Sequence, residues 1–164
     1  MPDDIGKLST EEIYKLYPKI LRELKKRDVI RSNNLVGEIG EYLAVSHYNE
    51  NPKFQNLIRA DVTTKNIDAI SRDGERYSIK ARVIRNTSGT TGAFNGLEPP
   101  GSRKNDVKKF EYAVIVIFDE DYDLKSIVEI DWDQFLKIKK WHKRVNAWTI
   151  PINASLMKMA KKIF

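Results

Sequence analysis

The sequence predicts an α/β chain, a mixed sheet flanked by helices. Three observations predict it. Apolar residues recur at helical spacing in the first third, behind two sets of capping residues. "NIDAISRDGERYSIKAR", from Asn66 to Arg82, reads as two short strands joined by a tight turn at Asp73-Gly74. "FEYAVIVIF", from Phe110, is an unbroken apolar run of the kind found in strands buried on both faces.

The elements follow in order. Ser9 and Glu12 form a capping-box pattern ahead of Ile13, Leu16, Tyr17, Ile20, Leu21 and Leu24. Pro18 lies inside that pattern and is expected to kink or split the helix. Residues 1–30 thus read as an N-terminal helical extension. Ser32, Asn33 and Asn34 are cap candidates for a second helix, whose apolar face is Leu35, Val36, Ile39, Tyr42 and Leu43; Asn51-Pro52 ends it. A weak strand is expected between Phe54 and Arg59, before the hairpin. Residues 85–106 contain few aliphatic side chains and four glycines, too long a stretch for an ordinary connector, and read as a functional or disordered loop. After the apolar strand, Asp119 to Asp123 makes a turn and "LKSIVEI" pairs back. "DWDQFLKIKKW" reads as a helix capped by Asp131 or Asp133. A short strand near "AWTIPI" and a basic helix from Asn153 or Ala154 complete the chain.

Composition limits the chemistry. A length of 164 residues suits one domain with one core. The absence of cysteine removes disulfides, thiolate metal sites and cysteine nucleophiles, and fits an intracellular, cytoplasmic protein. With only His47 and His142, a histidine-rich metal centre is not expected. No apolar run approaches the length of a bilayer span, and the polar N-terminus has no signal-peptide pattern. The formal charge of +6 favours polyanionic partners, chiefly nucleic acid.

The hairpin carries the most specific signal. In "RYSIKARV", Tyr77, Ile79, Ala81 and Val83 take one face, and Arg76, Ser78, Lys80 and Arg82 the other. Asp68 shares a face with Ile70, while Ile67 and Ala69 occupy the opposite one, so its strand reads as covered on both sides. A carboxylate there needs a partner. The turn sets Asp68 and Lys80 on neighbouring strands, where they form either a structural ion pair or part of an active site.

These residues resemble the core motif of the PD-(D/E)XK nuclease superfamily, whose signature is an Asp on one strand and an acidic-x-Lys triplet on the next. Asp68 matches the Asp, Ser78-Ile79-Lys80 falls where the triplet belongs, and "GEIGE", Gly37 to Glu41, resembles the family's helix motif with its Glu. The resemblance spans Asn34 to Ile130. It implies a single-domain restriction-endonuclease-like core (α-β-β-β-α-β) that cuts DNA with Mg²⁺ or Mn²⁺. Asp68 and a helix carboxylate, Glu41 or Glu38, would hold the metal, and Lys80 would orient water or stabilise developing charge. Glu41 is favoured by its spacing from Gly37, Glu38 by its position at the edge of the apolar face. The departure is Ser78, a poor hard-metal ligand where the family places an acid. Arg82, on the face of Lys80, is placed to hold a flanking phosphate. "KIKKWHKR" adds Lys139, Lys140, Lys143 and Arg144 as further DNA contacts, read here as part of a helix face; Trp141 and Trp148 read as core or core-edge. Cutting both strands needs two sites, which is compatible with a homodimer, although no interface is legible in the sequence.

Overall fold

The computed structural model describes residues 4–85 and 88–164. Met1 to Asp3, in the expected N-terminal extension, and Asn86 and Thr87, in the expected loop, lie outside the described residues.

Helix α1 spans Thr10–Lys26, opened by the Ser9–Glu12 capping box. It runs through Pro18 as one helix, so the split that Pro18 could have caused does not occur. Pro18 and Tyr14, four residues before it, are both exposed, so water can satisfy the carbonyl that loses its intrahelical donor. Helix α2 spans Leu35–Glu50, with the Asn34 side chain accepting from the Gly37 N–H.

Six strands form one mixed sheet: β1 (Leu57–Arg59), β2 (Ala69–Ser71), β3 (Arg76–Val83), β5 (Tyr112–Phe118), β6 (Leu124–Asp131) and β10 (Lys161–Lys162), in that spatial order. Strand β4 (Gly89–Thr90) pairs instead with β9 (Pro151–Ile152), and β7 (Lys140–His142) with β8 (Ala147–Thr149). Helices α3 (Trp132–Ile138) and α4 (Ala154–Met159) are the remaining α-helices among the described residues. The hairpin between β2 and β3 turns at Gly74, whose φ of +83° suits only a residue without Cβ. Strand β5 is interior and its residues 113–118 are all buried, as the apolar run requires.

Every pairing in the large sheet is antiparallel except β3 with β5. Parallel neighbours need a crossover of a dozen or more residues. That requirement accounts for the long stretch expected as a functional or disordered loop. From residue 88 to 106 it holds β4, a bridge from Phe94 to Trp148, and the buried side chains Thr91 and Phe94. Phe94, Phe110, Ile115, Ile130, Phe135 and Ile150 build the core on this face of the sheet. Helix α2 covers the other face, over Tyr77, Ile79, Val114 and Val116. It approaches closely at Gly40, where a Cβ would stand 2.3 Å from that of Ala81.

The C-terminal third departs from expectation in two places. Helix α3 stops at Ile138, so the basic run continues as the β7–β8 hairpin rather than as helix. The last helix is followed by β10, which pairs with β6. Among the described residues, no helix is long and apolar enough to cross a membrane.

Candidate active site

Asp68 stands immediately before β2, opposite Ser78 in the register that pairs Ala69 with Tyr77. Its Oδ2 accepts from the Ile79 N–H at 2.6 Å and from the Ser78 hydroxyl at 3.4 Å. The Lys80 ammonium lies 3.8 Å from the same oxygen. One neighbouring strand, β3, therefore holds this carboxylate by a backbone amide, a hydroxyl and a cation. The expectation that its strand is covered on both sides is corrected: Ile70 is exposed, as is Ile58 across from it on β1. Ser78 is only 2% exposed and acts on Asp68 rather than on solvent.

Lys80 is partly buried on the face opposite α2. Its ammonium lies 5.4 Å from the centre of the Phe94 ring. Phe94 is in turn fixed by donating its N–H to the Trp148 carbonyl at 2.8 Å. The crossover segment thus forms a shelf under the lysine, a contact that residue spacing does not reveal.

Helix α2 presents its two acids to a cleft of about 200 Å³ that Asp68 also lines, together with Arg31, Asp61 and Thr64. The acids differ in their partners. Glu38, 5% exposed, accepts from Arg59 at 2.7 Å and lies 3.5 Å from Arg31. Burial works against its charge, but the Ser32 hydroxyl, the Arg31 backbone and the two guanidiniums prevail and hold its carboxyl below the usual range. Glu41 is held more loosely, 3.3 Å from Arg31 and 3.5 Å from Arg59. Burial, then the nearby charges of Asp68 and Glu38, raise its carboxyl above the usual range.

Arg31 and Arg59 are the site residues that sequence reasoning missed. Arg59 also donates to the carbonyls of Asp28 and Val29, and Arg31 to that of Ala60. Their acid partners lie in a different element, α2, so no strand or helix period marks them.

The chain shares no match with any protein-family model or with any curated protein.

The donor chemistry suits a hard cation at Asp68 and Glu41. Burial and neighbouring negative charge disfavour Glu41 in its ionised form, and a bound divalent cation would relieve both. Glu38 does not fit that role, because its charge is already matched by Arg59. Among the described residues, no three His, Cys, Asp or Glu side chains gather at metal-ligand spacing.

The basic residues separate into two groups. Arg82 is exposed two residues beyond Lys80 on the same strand face. Lys140, Lys143 and Arg144 are exposed on the β7–β8 hairpin and its tip. Lys139 is instead ion-paired with Asp106 and lies 4.2 Å from the Trp148 ring centre, mostly buried. Trp141 and Trp148 pack edge-to-face across the hairpin, 5.3 Å apart.

Proposed function

We propose that this chain hydrolyses phosphodiester bonds in DNA with Mg²⁺ or Mn²⁺, on a restriction-endonuclease-like core of the PD-(D/E)XK superfamily. The observation that carries the reading is the meeting of Asp68 and Lys80 at 3.8 Å from adjacent strands, with Glu41 lining the same cleft as Asp68. Asp68 and Glu41 are the residues to hold the metal. When bound, that ion polarises the phosphoryl oxygen and lowers the pKa of its water.

The chain's own residues do the rest. The Ile79 N–H and Ser78 hydroxyl fix the Asp68 carboxylate, so Ser78 serves as a positioning residue where the family places an acid. The Lys80 ammonium, steadied over Phe94, stabilises negative charge developing on the phosphate or orients the attacking water. Arg82 and the hairpin cations Lys140, Lys143 and Arg144 bind flanking phosphates.

One observation favours a second reading, a non-catalytic nucleic-acid-binding module on the same fold. Arg31 and Arg59 already lie within ion-pair distance of both helix acids, and Ser78 adds no carboxylate. Supercoiled plasmid incubated with the protein, with metal or with chelator, separates the two. Nicking that requires Mg²⁺ or Mn²⁺ supports the nuclease. Salt-sensitive binding without cleavage across varied DNA substrates supports the module.

A further inference from the structure

Arg31 and Arg59 share the helix acids unequally. Arg59 is committed to the fold: it donates to the Asp28 and Val29 carbonyls at 2.8 and 3.3 Å and to Glu38 at 2.7 Å. Arg31 is not. It donates to the Ala60 carbonyl at 2.9 Å and to Glu41 at 3.3 Å. A guanidinium offers five N–H donors in a fixed fork, so most of its capacity is unused. Its Nε is buried and has no hydrogen-bond partner among the described residues; Glu38, 3.5 Å away, is not in hydrogen-bonding geometry. The Arg59 Nε is also unpartnered, but Arg59 does not line the cleft of Asp68, and Arg31 does.

Two restraints keep Arg31 at that cleft. Ile30, its neighbour in the chain, is buried, and the Ala60 carbonyl holds one edge of the guanidinium. The cleft measures about 200 Å³, the room of about six or seven waters at ~30 Å³ each. That volume suits a phosphate group and a hydrated cation, and is too small for a base pair. Glu41 is the one carboxylate to which Arg31 donates, and it is also the helix acid suited to a hard cation. A divalent cation there competes with Arg31 for the same oxygens, and the two positive charges repel.

We propose, resting on the metal-dependent reading of the cleft, that Arg31 is a phosphate-binding residue held in reserve by Glu41. With Glu41 given over to a divalent cation, the Nη2 and Nε of Arg31 turn their donors to the oxygens of a DNA backbone phosphate entering the cleft. Paired N–H donors of a guanidinium match a phosphate bidentately. Without metal, Glu41 occupies Arg31 and the phosphate has no such partner. Metal and DNA therefore favour each other's binding, by the same factor in both directions. Arg59 takes no part in this exchange, because its donors hold the backbone of residues 28 and 29.

Arg31→Gln in the full chain tests it by two bindings, neither of which needs turnover. In calorimetry with Mn²⁺ alone, the variant should bind the metal several-fold more tightly than the parent, since the competing cation is gone. In fluorescence anisotropy with a short labelled DNA duplex, parent and variant should bind alike in chelator, where Glu41 holds Arg31. Ca²⁺ should tighten DNA binding by the parent about tenfold, and Arg31→Gln should lose most of that gain. Arg31→Lys keeps the charge at this half-buried position but not the fork, and should lose most of the gain too; it decides alone where Arg31→Gln does not fold by circular dichroism. Unchanged or weaker Mn²⁺ binding by folded Arg31→Gln would overturn the proposal. So would an equal loss of DNA affinity with and without metal, or a full gain in Arg31→Lys. A parent chain that binds no Mn²⁺ would overturn the metal site as well, whereas the other outcomes leave that site standing.

Discussion

On α2, Glu38 and Glu41 stand three residues apart and are held by the same two arginines at different distances, and this difference gives them different expected phenotypes. Glu38→Gln removes the carboxylate closest to the buried Arg59 and leaves both arginines only Glu41, at 3.3 and 3.5 Å, and should lower stability by about 3 kcal/mol, read by urea denaturation. Glu41→Gln removes a charge that the fold disfavours. A carboxyl raised above its ordinary value stabilises the folded state below that value and loses this contribution as pH rises through the raised one. The glutamine variant should therefore equal or exceed the parent's melting temperature at pH 7, with the gap closing below the ordinary carboxylate pKa of 4.5. In a Mn²⁺ titration followed by calorimetry, Glu41→Gln should weaken binding by tenfold or more, since a neutral amide is a far weaker hard-metal ligand. Unchanged metal affinity would remove Glu41 from the site. Asp68, Lys80 and both helix acids were legible in the sequence because strand alternation and the short helix motif are local patterns. The choice between the acids was not, because it depends on Arg31 and Arg59, which reach them only in three dimensions.

At the level of elements, two contacts hold the site in place. Gly40 lets α2 lie against β3, so Gly40→Ala should cost about 1–3 kcal/mol by forcing the helix away from Ala81. Ala81→Gly in the same chain should restore part of that loss in the same denaturation measurement; no rescue would mean that the contact is not what limits the approach. The parallel pairing of β3 with β5 is fastened by Glu111, which accepts from the Arg76 backbone N–H at 2.7 Å and from its guanidinium at 3.0 and 2.9 Å. Hydrogen bonding from the Arg76 side chain outweighs burial and pulls the Glu111 carboxyl from 4.5 down to about 2. A lowered carboxyl stabilises the fold above its ordinary value and loses that contribution as pH falls toward the lowered one. Thermal stability should thus decline between pH 4.5 and about 2, and Glu111→Gln should flatten this limb while lowering stability at neutral pH. The long elements α2, β3, β5 and β6 were readable because periodicity and apolar runs extend over many residues. Strands β4, β9 and β10 have two residues each, too few for any period, and form because partner strands lie open beside them. The basic run after Ile138 carries no Gly or Pro to stop a helix, so its sequence predicts helix where the chain forms a hairpin.

For the molecule as a whole, charge is unevenly distributed along the chain. The residues after Asp133 contain seven lysines, Arg144 and no acid, so these eight cations leave 21 of the 29 Lys and Arg against 23 Asp and Glu in the rest. The net positive charge therefore belongs to the segment that forms the β7–β8 hairpin, α4 and β10. DNA affinity should fall steeply with salt. Lys140→Glu, Lys143→Glu and Arg144→Glu together should reduce the salt slope by about 3, near 0.9 for each phosphate no longer neutralised, while the fold is kept. An unaltered slope would move the contact surface elsewhere. Lys139→Glu should instead reduce stability, because Lys139 is paired with Asp106 and packed on Trp148. Asp68, Lys80 and Glu41 are proposed to form a metal-dependent hydrolytic site. Its most direct test is the nicking of supercoiled plasmid by the unaltered chain and by Asp68→Asn, with Mn²⁺ and with chelator. The expected result is nicking by the unaltered chain with metal alone, and its loss in a folded Asp68→Asn variant; equal nicking by both, or none by either under any metal, would overturn the proposed site.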